Sequence, residues 1–434
     1  MSMSKKTDQK KKLLVYANYY YPELASTAQL CTDICEGLKD TFDITVICTV
    51  PCYTGTIPQE YRKKKYYREE YNGVKVIRVR VPDVDKHSKK SRVKHILAYF
   101  FRSVLATFKA PGADLIFAIS QPPVLGGMLG VIGKRINLFF KFRRAKYIYN
   151  IQDYNPEQTI AVGYSKNKAV LKAMMAFDKH SCKVADKVIV VGSDMVETMK
   201  KRFTKRNGKM SKAMPETEFI NNWMDHTQIY PLPREHEKVA AFKQKYGLEN
   251  KFVIMYSGNI GLYYDLENIM RVVGKFKDDS EVVFPFVGDG TLKQTLQEYV
   301  QEQGLKNVVF IPYQAKEELI YSLNAADVLW VVNAKGIKGI SCPSKLYGVL
   351  AVAKPVLGVL EEGTEARNIV EKTQCGKVVS PGDYDGIERI IRELIAENPD
   401  ILSEQGTRGY HYMLENLTKD ISVAKYKKAL EALT

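Results

Sequence analysis

Short apolar runs of about four to eight residues recur along the chain, each followed by a polar or glycine-rich turn and then by a stretch with helical spacing. The first half carries LLVYA at 13–17, FDITVICTV at 42–50, VKVIRVRV at 74–81, a run over 113–120, YIYNI before Gln152 and DKVIVVGS at 186–193. The second half repeats the scheme with KFVIMYS from Lys251, VVFPFV from Val282, VVFIPY from Val308, ADVLWVV from Ala326, VLGVL from Val356 and the VV of CGKVVSPGD. Most of these runs are continuous rather than alternating, which is how strands of a parallel sheet read when both faces are covered. Strand alternating with helix then predicts an α/β chain of two Rossmann-like, doubly wound domains.

The pattern divides the chain into a first domain over 1–222, a linker over 223–250, a second domain over 251–409 and C-terminal helices over 410–434. Pro231 and Pro233 in FINNWMDHTQIYPLP suit a semi-rigid connector. PCYTGTIPQEYRKKKYYREE at 51–70 reads as a basic, aromatic loop, and PPVLGGMLGVIG at 122–133 as an apolar run too short to span a bilayer. The stretch 86–109, KHSKKSRVKHILAYFFRSVLATFK, is a helix with basic residues at one end and a wide apolar side. That side serves either a domain core or an interface with lipid, where the cations would meet anionic headgroups.

Composition adds two points. At 434 residues with 45% hydrophobic and 26% charged residues, the chain is globular and long enough for two cores. Its seven cysteines include no CxxC pair, and no apolar h-region precedes the first strand, so a reducing cytoplasmic setting is expected rather than secretion. Charge changes the picture more. Residues 1–146 hold 27 Lys and Arg against 12 Asp and Glu, a net +15 out of the chain's +16. So lopsided a split points to an anionic partner for the first half alone, either nucleic acid or an acidic membrane surface. A nucleic-acid binder would leave the near-neutral second half with its glycine turns unexplained, so no nucleic acid is expected.

Candidate chemistry gathers at the predicted strand ends. In GISCPSKLYGVLAVAKPVLGV from Gly339, Pro343, Ser344 and Lys345 interrupt an apolar run and feed a short helix, placing a hydroxyl and a cation at its start. Backbone N–H groups and a lysine there suit a phosphate, although an ordinary solvated loop reads the same way. Gly258, Asn259 and Gly261 follow one strand and Gly288 and Asp289 another, where small residues let backbone approach a ligand. Asp153 and Glu157 stand just past a strand end, the edge where open α/β sheets bind ligands; capping of the next helix is the alternative.

Eleven pieces, among them YANYYYPELASTAQLCTDICEGL, YIYNIQDYNPEQ, FINNWMD, IMYSGNIG, FPFVGDGTL and CPSKLYGVLAVAKPVLG, resemble in one order the retaining nucleotide-sugar glycosyltransferases of glycosyltransferase family 4, notably the bacterial polysaccharide enzymes with a PSKLY-type motif, such as the N-acetylfucosamine and colanic acid transferases. The resemblance implies a GT-B fold, its two domains facing across a cleft, with the donor on the second and the acceptor on the first. It implies catalytic roles for Asp153 and Lys345, and donor binding by Gly258, Asn259, Gly261, Gly288, Asp289, Ser344, Lys345 and Glu365. The family's first loop carries paired glycines, replaced here by Leu24, Ala25 and Ser26. Its diphosphate-binding arginine and lysine are replaced by Asn259 and Tyr264, leaving Lys345 as the evident cation. Its two glutamates are replaced by Ile340 and Gly348.

In activity, the resemblance implies a retaining, hexosyl-type glycosyltransferase using an NDP-sugar, with no metal or other cofactor. Its acceptor would be a saccharide on undecaprenyl diphosphate, met peripherally at the anionic inner face of a bacterial membrane during capsule, exopolysaccharide or O-antigen synthesis. The alternative is a non-catalytic sugar-nucleotide-binding subunit of a polysaccharide assembly complex, which the missing glutamates would fit.

Overall fold

The computed structural model describes residues 10–23, 25–85 and 88–434; the basic tail, Leu24 and the first two positions of the helix expected from 86 lie outside the described residues. Two separate sheets organise them. The first contains β1 (Lys11–Tyr16), β2 (Phe42–Thr49), β3 (Tyr66–Tyr71), β4 (Val74–Val79), β5 (Leu115–Ile119), β6 (Lys146–Ile151), β7 (Lys187–Val190) and β8 (Glu216–Phe219), in the order β3-β4-β2-β1-β5-β6-β7-β8. All neighbours are parallel except β3 and β4. The second sheet contains β9 (Phe252–Ser257), β10 (Val282–Val287), β11 (Val308–Ile311), β12 (Val328–Val332), β13 (Val356–Val359) and β14 (Gly376–Val379), all parallel in the order β11-β10-β9-β12-β13-β14. This is the α/β, GT-B arrangement of two doubly wound sheets. Strand order reverses beside β1 in one and beside β9 in the other, and crevices at such switch points are where these folds hold ligands.

The continuous runs became central strands for the reason their pattern implied: β5, β12 and β13 are buried along their whole length between helix layers. The 51–70 stretch departs from the expected loop. Its last residues form β3, an edge strand joined to β4 by Asn72-Gly73, with φ of 49° and 81°. Both residues take the left-handed region that a two-residue hairpin turn requires, so Asn-Gly was the strand signal in that stretch.

Three boundaries also move. Trp223 belongs to the first core, its indole N–H donating to Asp33 at 2.9 Å. The expected linker is a connector only near Met224, because Ile229, Val239, Phe242 and Leu248 bury their apolar groups in the second core and 237–245 is a helix. The helices expected over 410–434 to return to the first domain do so only in part. Pro399–Asn416 is one continuous helix on the second sheet, where Gly406 and Gly409 let its backbone come close to Ala353 and to Leu350 and Cys375. Only Lys419–Glu431 crosses, and Tyr426 seals it there: its hydroxyl accepts from Asn150 at 2.9 Å, inside the first core. The two crossing segments lie side by side in a Met224–Thr418 bridge.

If 237–245 is core rather than connector, Phe242→Ala costs about 3–5 kcal/mol, as for a truncated core aromatic. Urea unfolding of the second lobe measures it, and a cost within about 0.5 kcal/mol, as for a surface position, would reject the assignment.

Candidate active site

The chain after β6 enters the cleft and meets the loop that precedes Lys345. The Tyr154 N–H donates to the Ile340 carbonyl at 2.9 Å, and Asp153 and Ser341 pair as an isolated antiparallel bridge. Beside them Asp194, near the start of helix Ser193–Phe203, accepts from the Gly339 N–H at 2.7 Å and the Glu365 N–H at 3.4 Å. Ser193 donates to Glu365, and Asn221 does so at 3.2 Å. The first lobe therefore grips the second at 339–341 and at 365. Ile340 itself is 8% exposed and packed in the first core, so the place of one expected glutamate is used to join the lobes. A side chain at Gly348 would point at Met224 and Leu323, an apolar setting where a carboxylate would be buried without a partner.

Lys345, at the start of the helix Lys345–Ala351, reaches back to the end of β9. Its Nζ lies 3.5 Å from the centroid of the Tyr264 ring and 5.1 Å from that of Tyr256. Gly258 makes this possible: a Cβ there would stand 2.7 Å from Lys345 Cε. The sequence places Tyr264 where the family carries a lysine, and the structure fills that volume with the Lys345 ammonium resting on the Tyr264 face. Among the described residues no carboxylate offsets its desolvation, and burial pulls its pKa from 10.5 down to about 7. Lys345 is thus a half-buried cation faced by rings, an arrangement that can accept an anion.

The glycines do less, and differently, than small size alone implied. The Gly258 N–H is spent on Val287 O (2.9 Å), that of Gly288 on Ile311 O (3.0 Å) and that of Ile260 on Asp289 O (2.8 Å). Gly288, at φ 141°, instead lets the two strand ends close: its Cβ would stand 2.0 Å from Gly258 O. Among the described residues, the amides of this turn left without a protein acceptor are those of Asn259 and Gly261. Asn259, Asp289 and Ser344 are exposed at the rim, and Asp289 accepts from the Gly290 N–H at 2.9 Å. A second cation, Lys293, donates to the Gly288 carbonyl at 3.0 Å; the lysine three residues past Gly290 was its sequence signal.

Asp153 does not cap the next helix, which starts after Pro156 with no side-chain cap. It lines a cavity of about 340 Å³ in the first lobe, at the switch point after β1 and β5, together with Tyr19, Tyr53, His95, Gln121 and Gln158. Burial raises its pKa, against hydrogen bonds from Ser341 and Gln158. Burial also raises Tyr264, to about 12, with the Asp153 charge adding to it, so Asp153 and the Lys345 ring stack share one electrostatic space. Glu157 points away: Arg202 takes it at 2.5 and 2.7 Å, along with Asp178 at 2.6 Å and the Asn155 carbonyl at 3.0 Å, pinning the loop that carries Asp153. Among the described residues no cluster of three His, Cys, Asp or Glu is placed to hold a metal.

Residues 238–411 match the family described as Glycosyl transferases group 1. The chain is 26% identical over 402 residues to a Pseudomonas aeruginosa protein described as the glycosyltransferase WbjE, covering 92% of this chain and 90% of that one. It is 26% identical over 416 residues to WcaI of Escherichia coli K12, a glycosyl transferase ascribed to colanic acid biosynthesis, covering 94% and 97%. In fold it is similar to sucrose-phosphate synthase of Thermosynechococcus elongatus (TM-score 0.73, 14% identity, 98% and 99% covered) and to Anabaena HepE in complex with UDP and glucose (0.66, 14%, 97% and 99%).

The depressed lysine gives a signed expectation. The unfolded Lys345 holds its proton up to pH 10.5 and the folded one only to about 7. Its destabilising effect is therefore complete below pH 7 and fades as pH rises towards 10.5. Lys345→Met should raise the Tm of the unliganded protein by about 2–4 °C at pH 6–7, a gain that disappears near pH 10.5. A thermal melt series tests it, and a gain independent of pH would contradict a buried, unpaired ammonium. Residues 238–411 of this chain thus carry a Glycosyl transferases group 1 domain, set within the paired doubly wound sheets of the GT-B fold.

Proposed function

We propose that the chain moves a hexosyl-type sugar from an NDP-sugar held by the second lobe to a lipid-linked saccharide held by the first, with retention of configuration. The observation that carries the reading is the Lys345 head, desolvated between tyrosine rings without a counter-ion, opposite Asp153. In this reading the diphosphate settles on Lys345, the free amides of Asn259 and Gly261 and the hydroxyl of Ser344. Charge on the departing diphosphate grows as the bond from its oxygen to the sugar breaks, so fixed donors there favour the transition state over the bound substrate. The acceptor oxygen forms the new bond on the same face, and its proton passes to the diphosphate oxygen. Asp153 orients that hydroxyl, and no metal is called on. The neighbour solved with UDP and glucose supports a nucleotide-sugar donor.

Two features support the acceptor assignment. The cleft is ringed by tyrosines: Tyr19 and Tyr53 meet edge to face at 5.5 Å, and Tyr53 feels Tyr313 and Tyr264 of the other lobe. Such rings offer faces for the C–H side of sugars. The second feature is the helix Lys89–Lys109, whose two sequence readings divide between its faces. His95, Tyr99, Ser103, Ala106 and Thr107 face the core, while Val93, Leu97, Phe101, Leu105 and Phe108 form an outward stripe. Phe108 meets Phe140 at 5.1 Å, and Phe139, Phe140 and Phe142 extend the exposed apolar face. With the basic excess of the first 146 residues beside it, this face suits peripheral docking on an anionic membrane at the cytoplasmic side. No helix among the described residues is long and apolar enough to cross one. The similarity to WcaI supports a reaction in capsule, exopolysaccharide or O-antigen assembly.

The places of the glutamates favour a second reading, a non-catalytic sugar-nucleotide-binding subunit, since Ile340 and Gly348 are both absorbed in packing. A donor screen with a lipid-diphosphate saccharide separates the two. Lys345→Ala should lower kcat/KM by about 10²–10³-fold, the usual cost of losing one transition-state donor. An unchanged rate would put the diphosphate elsewhere, and binding of sugar nucleotide without turnover would favour the second reading. For the membrane, Phe101→Glu with Phe108→Glu should cut recovery on anionic vesicles by about tenfold or more. Retained flotation, or binding that salt does not weaken, would reject the docking face.

A further inference from the structure

A second cavity, of about 410 Å³, opens on the first lobe away from Asp153 and Lys345, and its walls carry Arg62, Arg80, Lys94 and Arg102 against one carboxylate, Asp83. That carboxylate is already engaged. It accepts from both Arg62 guanidinium nitrogens at 3.0 and 3.1 Å and from the Ile57 N–H at 2.8 Å. Arg102 donates to the Arg80 carbonyl, and Arg80 to the Arg62 carbonyl, so main-chain oxygens rather than acids hold these side chains in place. Lys94 is exposed and makes no bond to a protein acceptor among the described residues. Three cations of this cavity therefore lack an acidic partner. The Arg102 pKa is accordingly lowered, by burial first and by Arg80 second.

Position adds what charge alone does not. Lys94, Ala98 and Arg102 are spaced i, i+4 and i+8 on the helix Lys89–Lys109, and that row runs beside the outward stripe of Val93, Leu97, Phe101 and Leu105. The same helix turns its other flank, with Arg92, His95 and Ile96, into the cavity that holds Asp153. The two cavities meet at a thin wall in which the Val84 N–H donates to the Gly55 carbonyl at 2.7 Å. A cationic hollow, an apolar track and the acceptor cavity thus lie along one helix.

Resting on the lipid-linked acceptor proposed above, we infer that the Arg62–Arg80–Lys94–Arg102 cavity binds the diphosphate of that acceptor, while its hydrocarbon chain follows the exposed stripe. Forked guanidiniums suit a group with several acidic oxygens, and an open hollow with three cations lacking an acidic partner suits a diphosphate better than the single charge of a bulk phospholipid. Anchoring the diphosphate on the outer flank of the helix leaves the saccharide to reach over the shared wall towards Asp153.

The test is flotation with phosphatidylcholine vesicles carrying either a polyprenyl diphosphate or phosphatidylglycerol at equal surface charge. The wild type should bind the diphosphate vesicles at least about tenfold more tightly, and soluble inorganic pyrophosphate should compete. Lys94→Glu and Arg102→Gln should each remove about tenfold or more of that preference. Lys94 makes no bond within the protein, so its variant keeps the test valid should Arg102→Gln misfold. Equal binding to both vesicle types, or a preference that survives both substitutions, would overturn the site. The thermal shift given by UDP is read in the same samples. A wild type that ignores UDP would count against the donor reading, whereas the vesicle preference decides this cavity independently.

Discussion

The position of Lys345 depends on a seam between the lobes. Seven residues of its loop, 339–345, are fixed at one end by Asp194 and Tyr154 of the first lobe and at the other by the helix that Lys345 begins. Gly339 sits at φ 70°, and a Cβ there would strike Thr198 Oγ1 at 2.4 Å, so the seam closes only around a glycine. Because the seam fixes the loop from one lobe and Gly258 admits the lysine from the other side, the ammonium is held against Tyr264 rather than free to seek water. An uncompensated charge is costly to keep in such a place. The packing of two whole sheets holds it there, so the cost is borne by contacts far from the lysine itself.

The seam also explains the departure from the family's acidic pair. At 340 an isoleucine buried in the first core contributes apolar burial, and its carbonyl accepts from Tyr154. A carboxylate in the same place would lose that burial and need a partner. Glu365 tells the same story from the second lobe, where its carboxylate is engaged by Ser193 and Asn221 across the cleft. Glu365 and Asp194 near this end of the second sheet are thus used to hold the lobes together, and Lys345 stands at the strand end on the face of a tyrosine ring.

Much of this was legible in the chain, for local reasons. Continuous apolar runs gave the buried parallel strands, and the lysine after Pro343 and the glycine after Ser257 were recognisable as strand-end groups of one crevice. What escaped reading depended on contacts between distant residues. Nothing local shows that Gly258 makes room for a side chain 87 positions later, or that Arg202 takes Glu157 and so leaves Asp153 as the acid facing the cavity. The hairpin turn at Asn72-Gly73 was local and readable, but the charges of YYREEY masked the strand before it. Charged residues at an edge are what keep such a strand from pairing with another molecule.

The helix Lys89–Lys109 shows why periodicity alone leaves function open. Its apolar residues cover too much of the surface for one core, and a sequence cannot say which of them the core takes. Packing decides, because the narrow inward face is filled by His95, Tyr99, Ser103, Ala106 and Thr107, most of them polar or small. The bulky residues are left outside, where exposing Phe101 at 61% and Leu105 at 55% costs solubility unless something apolar covers them. Which face of such a helix the core takes is thus decided by the depth and shape of the space beneath it, and the large side chains fall outside because the inward face is too narrow for them.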